Sequence, residues 1–267
     1  MGRRRTGAKA SRRKSRVGVS EADGVRYLHL GNDAVQSAMR IRRPFDLELS
    51  YTRAMAASLI LHPAPTQACM IGLGGGSLAK FVHRNLAGAS IRVLELDPEV
   101  VKVARSMFGL PPDDKRLTVE LGDGAAYVNR MRGTPLADIF FVDGFDSLAQ
   151  VQSLATRPFY DNVMGCLKPG GIMVVNLLYD DPGLDRYVQR IEQACRGGTL
   201  CLEAEDEPNL IMFGFRDPTH SLRWDDLRER ARRLERASGL PCGVLLKGLR
   251  AENKSTRTLL KVRQDTR

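Results

Sequence analysis

From about residue 67 the chain alternates continuous apolar runs with stretches whose apolar residues recur at helical spacing. Ala68 to Leu73, Ile91 to Leu96, Leu117 to Leu121, Asp138 to Val142 and Gly171 to Leu177 read as buried strands. Between them, Ser77 to Leu86, Pro98 to Phe108, Ala125 to Met131 and Pro158 to Leu167 read as helices, followed by a helix over Leu184 to Cys195 and strands over Thr199 to Ala204 and Leu210 to Phe215. Strands joined by helices of this length imply parallel pairing with right-handed crossovers, hence an α/β doubly wound sheet whose ligands sit at the carboxyl ends of its strands.

Upstream, Val25 to Leu30 and Ala34 to Ile41 predict two strands about a Gly31-Asn32-Asp33 turn, and Leu47 to Leu61 predicts an apolar helix that ends before His62-Pro63. Downstream, Trp224, Leu227, Ala231, Leu234 and Ala237 share one face of a helix that packs on the main domain. The segment from Glu252 onward is polar and reads as a frayed end. Four regions follow: a disordered basic tail over 1–22, a β-strand and helix region over 23–66, the doubly wound domain over 67–217 and a helical appendage over 218–267.

Charge is unevenly placed. The formal net charge of +10 resides mostly in the first 20 residues, which hold eight Lys or Arg and no acid; the rest carries 33 basic against 31 acidic residues. The tail suits a weak contact with nucleic acid, and the body is near neutral. Five cysteines, odd in number and without a CxxC pair, argue against a disulfide framework and for a reducing cytoplasm. His29, His62, His83 and His220 are scattered without ligand spacing, so no metal is expected. The uncharged window from Ala54 to Ala79 contains Pro63, Pro65 and four glycines, so no membrane span is expected.

Four strand ends carry the candidate chemistry. Gly72-Leu73-Gly74-Gly75-Gly76-Ser77 follows a strand and opens a helix; Gly72, Gly74 and Gly76 suit an adenosyl-sulfonium nucleoside, and a dinucleotide fingerprint would need glycine where Ser77 stands. Glu95, closing the next strand, is placed to accept both ribose hydroxyls. Asp97, just before Pro98, suits a helix cap. Asp123 and Gly124 end the third strand, either near an adenine amino group or as a turn or cap. Asp143 and Asp146, three apart beyond an apolar strand, are placed to hold a cation, although a strand-end Asp also caps helices.

Taken together, the glycine loop, Leu94-Glu95-Leu96-Asp97, Gly122-Asp123-Gly124, Asp143-Gly144-Phe145-Asp146 and Phe159-Tyr160 resemble, in order and spacing, the spermidine synthase (polyamine aminopropyltransferase) family from about Arg26 to Phe215. The resemblance implies a Rossmann-like methyltransferase-type domain preceded by a small β domain, a homodimer, and decarboxylated S-adenosylmethionine as co-substrate. It assigns the ribose to Glu95, the adenine side to Asp123 and Gly124, proton acceptance to Asp143, and amine binding to Asp146. Gln36 and Tyr51 resemble the family's contacts from the N-terminal region.

The chain also departs from the family pattern. Gly75 stands where the loop normally has an acid, Thr52 and Arg53 follow the pocket tyrosine in place of His or Gln and then Glu, and Glu203 to Pro208 replace a late Thr-Tyr-Pro segment. These changes fall mainly on acceptor binding; Arg53 inside the pocket would repel a dication, and the alternative is that it points to solvent. Two alternatives stay open: an S-adenosylmethionine-dependent methyltransferase, and a catalytically silent homologue that binds nucleoside or polyamine.

Overall fold

Val17, Val19 and Leu30 pack around buried Leu28, Met39 and Phe108, and this small core folds the N-terminal region. In the computed structural model, which describes residues 17–31, 34–62, 64–145, 151–217 and 221–262, strands β1 (Val17–Ala22), β2 (Val25–Leu30) and β3 (Val35–Arg40) form an antiparallel sheet in that order. Residues 17–22, placed in the basic tail from the sequence, are a strand instead: the alternating Val17 and Val19 pair with β2 and cover Leu28. Residues 1–16, the remainder of the expected tail, lie outside the described residues.

Residues 1–20 look removable from charge alone, yet such a deletion would cut through β1. Removing residues 1–16 is expected to leave the melting temperature unchanged, whereas removing 1–22 strips two half-buried valines from the sheet and should cost about 1–3 kcal/mol. Thermal melts of the two truncations check this.

The expected long helix is two short ones, α1 (Ser50–Ala56) and α2 (Ser58–Leu61). The Ser58 hydroxyl donates to the Met55 carbonyl at 2.8 Å, and the Ala57 amide turns to the Ala54 carbonyl, so the α ladder is interrupted at Ala57. Then follow β4 (Gln67–Ile71), α3 (Ser77–Asn85), β5 (Ser90–Glu95), α4 (Pro98–Met107), β6 (Leu117–Leu121), α5 (Gly124–Arg130) and β7 (Ala137–Val142). The series closes with α6 (Arg157–Cys166), β8 (Leu167–Leu178), α7 (Leu184–Ala194), β9 (Thr199–Glu203) and β10 (Asn209–Phe215).

These strands form one seven-stranded sheet in the order β6-β5-β4-β7-β8-β10-β9, parallel from β6 to β8, with β10 antiparallel to both neighbours. Alternate residues bury on opposite faces: Met70, Val93, Phe141 and Val174 in one core, Ile71, Leu94, Val142 and Val175 in the other. Because β10 runs against β8, Asn209 pairs with Leu178, and the β9–β10 turn is carried to the carboxyl ends of the parallel strands.

The appendage consists of β11 (Leu222–Arg223), α8 (Trp224–Ser238), α9 (Cys242–Glu252) and β12 (Leu259–Leu260). The end of the chain is not frayed directly after Glu252. Leu260 and Val262 are buried, β12 pairs with β11, and the Asn253 amide binds both backbone groups of Cys201 on the edge strand β9. Among the described residues no helix is long and apolar enough to cross a membrane.

Candidate active site

The glycine loop links β4 to α3 and is clamped from three sides. The Gly72 amide donates to the Leu94 carbonyl at 2.9 Å, and its backbone, at φ +90°, lies so close to β7 that a Cβ there would sit 2.0 Å from the Asp143 carbonyl oxygen. Only glycine permits that approach. Gly74 and Gly76 complete the turn, and Ser77 begins α3. From outside, β3 leans on the loop and α3: the Ser77 hydroxyl donates to the Ala38 carbonyl at 3.3 Å, and buried Lys80 reaches Met39 Sδ at 3.3 Å while donating to the Phe108 carbonyl beyond α4 at 2.5 Å. Burial draws the Lys80 ammonium down to about 8.

Glu95 ends β5 and locks this loop. One carboxylate oxygen accepts the Leu73 amide at 2.9 Å and the other accepts the Asp97 amide at 2.8 Å. Burial raises its pKa, and these amides pull it back. The Leu96 amide acts on the same carboxylate, which keeps acceptor capacity for a ribose hydroxyl. The neighbouring acids are caps as well: Asp97 accepts the Glu99 amide at 2.9 Å and caps α4, and Asp123 caps α5 by accepting the amides of Ala125 and Ala126 at 2.8 and 3.1 Å. Gly124 packs on Ile71, with no room for a side chain.

Gly75 now has a physical explanation. A Cβ there would lie 2.7 Å from the Phe108 ring and 2.9 Å from the Ser37 hydroxyl, so Phe108 and Ser37 crowd the position where the family carries an acid. Gly75→Ala is expected to lower stability by about 1–3 kcal/mol through overpacking. Phe108→Leu should recover part of that loss in the double variant, and a double-mutant cycle on thermal melts measures the coupling.

Asp143 lies just beyond β7 and, among the described residues, is held by two side chains. The Asn176 amide on β8 donates to Oδ1 at 2.9 Å, and the Tyr51 hydroxyl on α1 approaches Oδ2 at 3.4 Å. Burial dominates its electrostatics and lifts the carboxyl to about 6, against the two donors that pull it down. Tyr51 is raised well above the usual tyrosine value by burial, with the charges of Asp143 and Glu207 adding to it, so it remains a hydroxyl donor. That hydroxyl also reaches the Gln36 carbonyl at 3.3 Å, which brings the backbone of β3 to the site. Asp146 lies outside the described residues.

Two site residues escaped the sequence reading. Asn176 is one, and Glu207 is the other: its carboxylate accepts the Ser50 hydroxyl and, at 2.8 Å, the Tyr51 amide, so the β9–β10 turn caps the start of α1 and seats Tyr51. Of the two orientations open to Arg53, the structure shows the one turned away from Asp143. Its guanidinium is spent on the carbonyls of Leu47 and Glu48 at 3.3 and 2.5 Å and pairs with Asp206 at 3.7 Å. Thr52 bonds the Leu49 carbonyl at 2.7 Å.

A mostly parallel sheet whose strand-end glutamate clamps a glycine loop, with a second carboxylate on the strand at the loop's other side, defines a Rossmann-like domain of the methyltransferase type. The family model described as the spermine/spermidine synthase domain matches residues 48–199, and the chain belongs to that family. It is 35% identical over 240 residues to the polyamine aminopropyltransferase of Chromobacterium violaceum, spanning 90% of this chain and 91% of that protein. A crystal structure of spermidine synthase with the transition-state analogue AdoDATO superposes with a TM-score of 0.60 at 21% identity, over 88% of this chain and 89% of the other. Human methyltransferase-like protein 13 in complex with SAH superposes with a TM-score of 0.59 at 28% identity, over 72% of this chain and 90% of the other.

Proposed function

We propose that this protein transfers an aminopropyl group from decarboxylated S-adenosylmethionine to a polyamine such as putrescine, with Asp143 as proton acceptor. One observation carries the reading: a carboxylate whose pKa is lifted to about 6 stands beside the glycine loop at the carboxyl end of the sheet, held by two donors. Family membership and the aminopropyltransferase relatives support the same reaction.

The reaction is an in-line displacement: an amine nitrogen attacks the carbon next to the sulfonium, that carbon–sulfur bond breaks, and a neutral thioether leaves. The obstacle is the nucleophile, since an alkylamine of lysine type has a pKa of about 10.4 and is cationic at neutral pH. Asp143 attracts that cation, and its raised pKa narrows the gap against which the proton must move. For the donor, Glu95 takes the ribose while Asp123 and Gly124 flank the adenine. Leu96 and Leu121, large apolar side chains left exposed at the ends of β5 and β6, offer apolar walls to the base. Asp146 and Tyr51 would hold the amine beside Gln36. Homodimer formation, a cytoplasmic setting and a weak nucleic-acid contact through the basic tail complete the proposal.

Donor choice is the test. No basic residue in the glycine loop is present to pair the carboxylate of S-adenosylmethionine. Decarboxylated S-adenosylmethionine or methylthioadenosine should therefore bind more tightly in calorimetry, and at 100 times its dissociation constant should stabilise the fold by about 2.7 kcal/mol. Tighter binding of S-adenosylmethionine would move the assignment to methyl transfer, the reading that the likeness to methyltransferase-like protein 13 favours.

A further inference from the structure

Behind Asp143 runs a chain of two buried amides. Asn176 on β8 donates from Nδ2 to Asp143 Oδ1 at 2.9 Å, and its own Oδ1 accepts Nδ2 of Asn209 on β10, also at 2.9 Å. Both asparagines are almost fully buried, at 2% and 6% exposure, so water does not readily replace either bond. Asn209 is itself fixed at the mouth of a tight turn: its amide donates to the Glu207 carbonyl at 2.8 Å, its carbonyl accepts the Ala204 amide at 2.9 Å, and the Tyr179 amide closes on Pro208 at 2.8 Å.

An amide has a donor end and an acceptor end, so this chain has a direction. In the direction observed, both NH₂ groups point toward Asp143, and the carboxylate receives a donor. Turning Asn176 alone would set its NH₂ against the NH₂ of Asn209 and its carbonyl against the carboxylate. Turning both amides would present a carbonyl to Asp143, an arrangement that only the protonated acid satisfies. Resting on the reading of Asp143 as proton acceptor, we infer that Asn209 is a positioning residue: by donating to Asn176 it fixes the direction of the relay and keeps Asp143 facing a hydrogen-bond donor. Asn209 need not touch either substrate. Among the described residues, the side chains bonded to Asp143 are Tyr51 from α1 and Asn176 from β8; Glu207 stands behind Tyr51, and the backbone of Gly72 closes the loop side.

The test follows the Asp143 carboxyl directly, by a ¹³C titration of the full-length protein with the signal assigned through its loss in Asp143→Asn. Asn209→Leu frees Asn176 to turn and should raise the Asp143 midpoint by about half a pH unit; Asn209→Asp, which offers only acceptors when ionised, should raise it by about one or more. In an Asn176→Leu background both substitutions should lose their effect, which separates a relay from the bare charge of a new carboxylate. The acidic limb of kcat/KM should move by the same amounts, with donor affinity unchanged. If Asn209→Asp does not fold, the uncharged Asn209→Leu carries the test. A lower melting temperature with an unmoved Asp143 midpoint, or an equal shift in the Asn176→Leu background, overturns the inference. Loss of aminopropyl transfer from the unmodified protein would instead strike the functional reading, since the titration is independent of turnover.

Discussion

Asp143→Asn is expected to reduce turnover by about 10²- to 10⁴-fold, the usual contribution of a positioned proton acceptor, while donor binding through Glu95 and the glycine loop stays nearly constant. The substitution keeps the shape of the side chain, and its one carbonyl can still accept the Asn176 amide. Stability should move the other way. The folded-state pKa of about 6 lies above the ordinary aspartate value of 3.8, so the folded state binds this proton more tightly than the unfolded chain. Stability from this group is therefore present below about pH 4 and lost as pH rises through about 6, by at most about 3 kcal/mol. Asparagine removes that cost, so at pH 8 the variant should melt no lower than the unmodified protein. In the unmodified enzyme, kcat/KM should rise as Asp143 ionises through about pH 6. A helix cap would behave differently: its loss costs about 1 kcal/mol and spares turnover. Kinetics and melts measured on one preparation separate the two.

Gly72→Ala is expected to be the most damaging single methyl in the domain. Its Cβ would lie 2.0 Å from the Asp143 carbonyl oxygen and 2.9 Å from the carbonyl carbon, backbone atoms that move only if β4 and β7 part at their carboxyl ends. The left-handed backbone adds strain, and each effect is of the order of 1–3 kcal/mol. Against a typical stability of about 5–15 kcal/mol this is a large share, and any protein that folds has a displaced loop and Asp143 together. Gly109→Ala is the control. Gly109 has a similar φ of +65°, but an added methyl there would meet nothing within 4 Å, so it should show strain alone. Melts of both variants, with donor titrations, should give a much larger loss at Gly72.

The parts legible in the amino-acid sequence were those built from local pattern. Apolar runs of strand length separated by amphipathic helices identified the parallel sheet, and acids at the ends of such runs marked Glu95 and Asp143 as candidates. Asn176 was hidden because it interrupts an apolar run, Ile172 to Leu178, that already read as a strand; the one polar residue in a buried run was its signal. Glu207 sits in an acid-rich stretch that reads as a solvated turn, and only the antiparallel insertion of β10 carries it to Ser50 and Tyr51. The strand at Val17 was masked by the basic run before it, and Leu260 and Val262 were too short a pattern to mark a returning segment. Gly75 looked like a loss until Phe108 and Ser37, distant in sequence, were found against it.

Incubating the full-length protein at pH 8 with decarboxylated S-adenosylmethionine and putrescine should yield methylthioadenosine and spermidine one for one, and Asp143→Asn should form both far more slowly. Conversion of S-adenosylmethionine to S-adenosylhomocysteine with a methylated acceptor, and no product from the decarboxylated donor, would contradict it.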